Sequence, residues 1–168
     1  MVLVHAAVGD TDGNITIYDV PGRSDNAAIG EKAATQNLGA MEKRALTVPI
    51  VSLDTYLDGA APELRMKIAF IKIDVQGSEL LVLRGMRRLL KTPPTPAMLG
   101  GYSFVVKAEY DPSLQASSGH KAGAMLQYMH ELGYEMRCGM SDDQPLPMDK
   151  RPNCPDVFFS KGKPLLPT

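Results

Sequence analysis

Apolar residues fall along this chain in short blocks whose spacing switches between the strand period and the helix period. The densest block, Ile68 to Val75, is nearly continuous and rich in β-branched residues. That pattern predicts a strand buried on both faces. The block ends at Gln76-Gly77-Ser78, where Gly77 suits a sharp turn and Ser78 suits a helix N-cap. Leu80, Leu83, Met86 and Leu90 then recur at helical spacing, and Leu81, Val82 and Leu89 widen the stripe. Arg84, Arg87, Arg88 and Lys91 occupy the C-terminal half, where the helix dipole favours cations, and Pro93-Pro94 end the pattern. The spacing predicts a helix over Glu79–Leu90.

The same reading covers the rest of the chain. Val2–Val8 reads as a strand, Asp12-Gly13 as a hairpin turn, and Ile15–Val20 as the returning strand. Residues 21–45 are polar and irregular and read as a long surface loop. Leu46–Val51 is a short strand, after which Ser52 or Asp54 caps a short helix, so Asp54 reads as structural. Phe104–Ala108 is a second buried strand, and Pro112–Gly119 reads as a loop. His120–Leu132 is a helix with Met125, Leu126, Met129 and Leu132 as its core stripe and Gly133 as its C-terminal cap. Tyr134–Cys138 and Asp156–Ser160 are strands, the loop Gly139–Pro155 lies between them, and residues 161–168 form a loose tail.

Composition narrows the class. A chain of 168 residues fits one domain with a real core, and 44% hydrophobic with 22% charged residues is ordinary for a globular protein. A net charge of −1 offers no basic field for nucleic acid or an anionic membrane. No apolar run reaches transmembrane length, and the N-terminus lacks the pattern of a signal peptide. Cys138 and Cys154 lack CxxC spacing; the default reading is two free thiols in a reducing compartment, with a disulfide left open, and the chain is expected to be cytoplasmic. His5, His120 and His130 show no metal-ligand spacing.

Candidate chemistry sits on the two buried strands. Lys72 and Asp74 are two residues apart and project from one face, with Asp74 at the carboxyl end of its strand and Glu79 one turn beyond. Glu109 ends the strand after Phe104. Ligands of open α/β sheets bind at such strand ends. If the strands are parallel neighbours, Asp74 and Glu109 share an edge, where two carboxylates can share a proton, accept one from a hydroxyl, or hold a metal with water. The bland alternative is a buried Lys72–Asp74 pair, an Asp74 that caps the helix, a Glu79 that only answers the helix dipole, and a capped and hydrated strand end at Glu109.

The stretch KIDVQGSELLVLRGM resembles the motif of FkbM-type methyltransferases, K-I-D-V-E-G-x-E-x-x-V-L-x-G. Lys72, Ile73, Asp74, Val75, Gly77, Glu79, Leu83 and Gly85 match, while Gln76 replaces the commoner Glu. SLDTYL at 52–57 and DVF at 156–158 are similar to further family segments. The resemblance implies an α/β, Rossmann-like class I sheet, S-adenosyl-L-methionine as cofactor, and O-methylation of a small-molecule or saccharide hydroxyl. It implies Asp74, Glu79 and Glu109 as the edge that positions the acceptor, Lys72 steadying Asp74, and Ala7, Val8, Asp10 and Asp74 as cofactor-binding, the first three near the adenine. No resident metal is expected, although a metal-assisted version with Asp74 and Glu109 as ligands stays open.

Set against that family pattern, the chain opens at the third strand. Residues 1–20 match the third-strand hairpin and 46–160 the catalytic half, and no Gly-rich cofactor loop precedes residue 68. The expectation is an N-terminally truncated member, carrying the C-terminal portion of the sheet. It would bind the cofactor weakly on its own and self-associate through exposed strand edges. The alternative function is a non-catalytic remnant that binds a partner protein.

Overall fold

A computed structural model describes residues 2–19, 27–29, 35, 42–60, 62–121, 123–142, 144–147 and 150–164. Among these are eight strands and six helices, and the strands form two four-stranded mixed sheets. The first contains β1 (Ala7–Val8), β2 (Gly13–Asp19), β3 (Ala28–Ile29) and β4 (Arg44–Val51) in the order β1-β4-β2-β3. The second contains β5 (Phe70–Ile73), β6 (Val105–Glu109), β7 (Glu135–Arg137) and β8 (Asp156–Ser160) in the order β5-β6-β8-β7.

The second sheet buries one face. Ile71, Ile73, Val106, Ala108, Val157, Phe159 and Met136 alternate onto a common side. They pack in one core with Leu80, Leu83, Met86, Leu89, Leu90, Met125 and Met129 from the helices. The opposite side carries Lys72, Asp74, Lys107, Glu109 and Asp156. Alternation along each strand therefore separates the core from the candidate chemistry.

Several expectations need correction. Ile68–Val75 is not buried on both faces: β5 spans only Phe70–Ile73, lies at the sheet edge, and leaves Phe70 47% exposed. An apolar run reports burial but does not say how many strand neighbours provide it. Val2–Val8 and Ile15–Val20 form no hairpin. β4 lies between β1 and β2, parallel to the first and antiparallel to the second. Only Ala7–Val8 is strand, and Val2, Leu3 and Val4 are exposed. Asp12 contributes to this pairing, because its carboxylate accepts from the Ser52 backbone N–H at 2.7 Å and ties the turn to the end of β4. Most of the loop 21–45, and residues 165–168 of the tail, lie outside the described residues.

The six helices are α1 (Leu53–Ala60), α2 (Pro62–Arg65), α3 (Glu79–Gly85), α4 (Arg87–Lys91), α5 (Pro112–Ser117) and α6 (Ala124–Glu131). Pro112–Gly119 is thus largely helical rather than a loop. Asp111 caps α5 by accepting from Ser113 N–H at 2.8 Å and Leu114 N–H at 3.1 Å, with Pro112 following it. α6 is shorter than His120–Leu132, starting beyond Gly123 with its φ of +83°.

The expected helix Glu79–Leu90 is broken at Met86. The break frees N–H groups at the start of α4, and Asp54 on α1 takes them, accepting from Arg88 N–H at 2.6 Å and Leu89 N–H at 3.1 Å. Asp54 also pairs with Arg65 at 3.0 Å and is 6% exposed. Ser52 caps α1 instead, with Thr55 N–H donating to its Oγ at 3.1 Å. Asp54→Ala is expected to cost about 3 kcal/mol, because a buried charge network loses one partner. That corresponds to a melting temperature lower by roughly 6–12 °C, while Asp58→Ala, on a half-exposed carboxylate, shifts it far less. Thermal melting of both variants checks this.

Cys138 and Cys154 form a disulfide across a sequence separation of 16, so the expectation of free thiols is wrong. No described helix is long and apolar enough to cross a membrane.

Candidate active site

β5 and β6 are parallel, with Ile73 opposite Ala108, so Asp74 and Glu109 emerge together at their carboxyl ends. Gln76 joins them: its side-chain N–H₂ donates to Asp74 Oδ1 at 3.2 Å and to Glu109 Oε2 at 3.3 Å. The turn that brings Gln76 there is unusual, since Gln76 has a φ of +53°. A non-glycine residue in that region carries a cost of order 1 kcal/mol or more. Gly77 follows with a φ of +96°, and a Cβ there would sit 2.5 Å from the Leu114 carbonyl oxygen on α5. The motif glycine is therefore needed twice, for its conformation and for the close approach of α5.

Lys72 pairs with Asp74 at 2.9 Å, on the solvent side of the sheet rather than as a buried pair. Glu79 does not reach the open edge. It is 1% exposed, and its Oε1 accepts from Val75 N–H at 3.3 Å and Gly77 N–H at 3.0 Å. It thereby replaces Ser78, which makes no cap and whose Oγ is buried without a partner among the described residues. Glu79 holds the turn from behind, while Asp74, Gln76 and Glu109 form its front.

Electrostatics separate the two front carboxyls. The hydrogen bond from Lys72, helped by its charge and by the Gln76 amide, holds Asp74 below its ordinary value of 3.8 against the opposing effect of burial. Burial pushes Glu109 above its ordinary 4.5, and the charges of Asp74, Glu79, Asp111 and Asp156 push it further. Burial likewise raises Glu79, against the hydrogen bonds it accepts from the turn. Neighbouring carboxyls with pKa values driven apart are the arrangement in which one stays ionised and the other exchanges protons.

A cavity of about 320 Å³ opens beside this edge. Its walls are Ala6, Ala7, Val8, Ile17, Ala27, Ala28 and Ile29 from the first sheet, and its rim is Asp74, Val75 and Gln76. The fold thus brings Ala7 and Val8 to the same space as Asp74. Asp10 is exposed and does not line the cavity. Among the described residues, no group of three or more His, Cys, Asp or Glu side chains is placed to hold a metal.

Gln76 is the residue that sequence reasoning undervalued. It was legible only as a missing charge, whereas its amide is the link between the carboxylates. Ala6, Ile17, Ala28 and Ile29 carried no motif at all and join the cavity only through the pairing of β2, β3 and β4.

A family model described as the methyltransferase FkbM domain matches residues 1–136. That span contains the cavity walls, Lys72, Asp74, Gln76, Glu79 and Glu109. No curated protein and no solved structure matches the chain.

Proposed function

The chain belongs to the FkbM methyltransferase family, and from that membership we propose that it acts as an S-adenosylmethionine-dependent O-methyltransferase on a small-molecule or saccharide hydroxyl. The observation that carries this reading is the Asp74–Gln76–Glu109 edge at the rim of the Ala7–Val8 cavity.

The residues present fit the cofactor in two respects. Alanines at 6, 7, 27 and 28 leave a slot with apolar walls, and an ionised Asp74 stands at its rim to balance a positive charge. Ala6, Ala7, Val8, Ile17 and Ile29 would hold the adenine by apolar contact. When bound, S-adenosylmethionine supplies an electrophilic methyl group on a sulfonium.

The protein's own groups then divide the work. Glu109, whose carboxyl is raised, accepts the proton of the acceptor hydroxyl. Asp74, kept ionised by Lys72, orients that hydroxyl by accepting a hydrogen bond. Gln76 fixes the spacing of the two carboxylates, and Glu79 fixes the turn that carries Gln76. Orientation of this kind is a large share of the catalysis available to a methyl transfer.

The test begins with the cofactor product, S-adenosylhomocysteine, followed by amide NMR on the 168-residue chain. Weak binding in fast exchange is expected, with the largest shifts at Ala7, Val8 and Val75. Ala7→Phe, which fills the slot, is expected to weaken it by about tenfold or more, equal to about 1.4 kcal/mol. Transfer of a labelled methyl to a panel of hydroxylated small molecules and sugars then tests the reaction. Shifts confined to other residues, or an unaltered affinity in Ala7→Phe, would remove the cofactor from this cavity.

A further inference from the structure

A second cavity, of about 290 Å³, lies at the carboxyl end of β6, and nothing in the reading above uses it. Tyr110, Pro112, Arg151, Pro152, Asn153, Cys154 and Pro155 line it. Its position follows from register. Glu109 stands opposite Asp156 in the β6–β8 ladder, and the next backbone bond out runs from Tyr110 N–H to the Pro155 carbonyl at 2.7 Å. The two walls of the cavity therefore begin one residue beyond Glu109, a rise of about 3.3 Å along a strand, with Tyr110 on the core side of the sheet and Glu109 on the other, so that the two meet only over the strand end. The Cys138–Cys154 bond anchors the outer wall to the end of β7.

Two features mark this as a place for a ligand. Tyr110 is 6% exposed, and its hydroxyl is buried with no hydrogen-bond partner among the described residues. Buried hydroxyls are nearly always satisfied, so an orphan that lines a cavity points to a group that enters it. Arg151 is exposed, makes no ion pair among the described residues, and acts on the Tyr110 phenol through its charge. The remaining walls are proline rings, flat and apolar, with the Asn153 amide among them.

The surrounding charges add an orientation. Asp74 is neutralised by Lys72 and Asp156 by Lys107 at 2.7 Å, while the Asp111 carboxylate is spent on capping α5. Among the described residues Glu109 makes no ion pair, and only the more distant charge of Lys72 acts on it. An anionic group would be repelled from Glu109 and drawn to Arg151, so a molecule bearing both an anion and a hydroxyl has one favoured direction.

We infer that the cavity between Tyr110 and the 151–155 loop is the acceptor subsite, and that it takes a hydroxylated ring bearing an anionic group, such as a uronate or a sugar phosphate. Arg151 binds the anion, Tyr110 hydrogen-bonds a ring oxygen, the prolines cover the apolar ring face, and a free hydroxyl lies toward Glu109. This rests on the methyltransferase reading, because Glu109 matters here as the group that takes the hydroxyl proton.

The experiment is a titration of the isotopically labelled chain with D-glucuronate, D-glucose 1-phosphate and D-glucose, read at the Tyr110 ring and Arg151 Nε signals. At least one anionic sugar is expected to shift both signals and to bind about tenfold or more tightly than glucose. The tighter of the two identifies carboxylate or phosphate as the anion. Arg151→Gln, at an exposed position, is expected to remove that preference and to leave the S-adenosylhomocysteine shifts at Ala7 and Val8 unchanged. Tyr110→Phe is expected to weaken all three sugars. Equal binding of glucose and the anionic sugars, no shift at Tyr110, or an unaltered preference in Arg151→Gln would overturn the assignment. Sugar binding without any S-adenosylhomocysteine binding would instead count against the methyltransferase reading, so the two failures are distinguishable.

Discussion

Glu109→Gln is expected to slow methyl transfer by about 10²–10⁴-fold, the usual worth of a positioned general base. The substitution keeps the shape and the contact with Gln76 but removes the ability to take a proton. Binding of S-adenosylhomocysteine is expected to stay near that of the parent, because Glu109 does not line the Ala7–Val8 cavity. The rate of the parent should rise with pH through the raised Glu109 value, above 4.5, and then level off, since the active form is the carboxylate. Gln76→Glu adds a negative charge beside Glu109 and should move that limb to higher pH. Stability runs the other way. A carboxyl raised on folding contributes stability below its unfolded value, and the contribution is lost as pH rises through the folded value. Glu109→Gln removes that loss, so at neutral pH the variant should melt no lower than the parent. Carboxyl-carbon NMR titration, turnover with an accepted hydroxyl substrate, and thermal melting measure the three quantities. Near-normal turnover in Glu109→Gln would assign the proton to another group, and a large drop in melting temperature would make the residue structural.

How far the sequence revealed this site depends on the kind of information each residue carries. Lys72, Asp74 and Glu109 were legible because strand alternation fixes a face and two consecutive βα units suggest parallel pairing; the register of β5 and β6 does bring Asp74 and Glu109 together. Gln76 was not legible. Its role depends on a φ of +53°, which nothing in the local composition announces for a residue other than Gly, Asn or Asp. The N-terminal pairing was misread for a related reason. Asp12-Gly13 has the chemistry of a hairpin turn, but the Asp12 carboxylate bonds Ser52, and β4 inserts between the two strands. Turn chemistry describes four residues, whereas strand neighbours are chosen across the whole chain. By contrast, α5 was readable and missed, because Asp111-Pro112 is an N-cap followed by the residue that best starts a helix. The disulfide depends on Cys138 and Cys154 standing 5.8 Å apart between Cα atoms, a distance set by the β7–β8 ladder and not by spacing in sequence.

An effect on the fold as large as that of Asp54→Ala is expected at Gly85, which the family pattern marks and the structure now explains. Gly85 ends α3 with ordinary helical backbone, so by propensity alone alanine there would gain about 1 kcal/mol. Sterics decide the opposite sign. A Cβ on Gly85 would run into the Gly9 carbonyl oxygen and lie 2.8 Å from its carbon and 3.3 Å from the Asp10 Cα. All three are backbone atoms, so no rotamer change relieves the clash. Gly9 is itself held, with its N–H donating to the Val51 carbonyl at 3.2 Å, and Leu83 within α3 and Met86 just beyond it are completely buried. Either α3 leaves the core or β1 leaves β4. Overpacking typically costs about 1–3 kcal/mol, and a backbone-to-backbone clash belongs at or above the top of that range. Gly85→Ala is therefore expected to lower the melting temperature by roughly 6–12 °C at about 3 kcal/mol. It is also expected to weaken S-adenosylhomocysteine binding, because Gly9 directly follows the Ala7–Val8 wall of the cavity. Gly59→Ala on α1 is the control: nothing lies within 4 Å of its added Cβ, so helix propensity should leave that variant as stable as the parent or more so. Melting curves of the two variants, with cofactor-product titrations beside them, separate the cases. A Gly85→Ala protein that melts within about 2 °C of the parent would show that the contact between α3 and the Gly9 turn contributes little to stability.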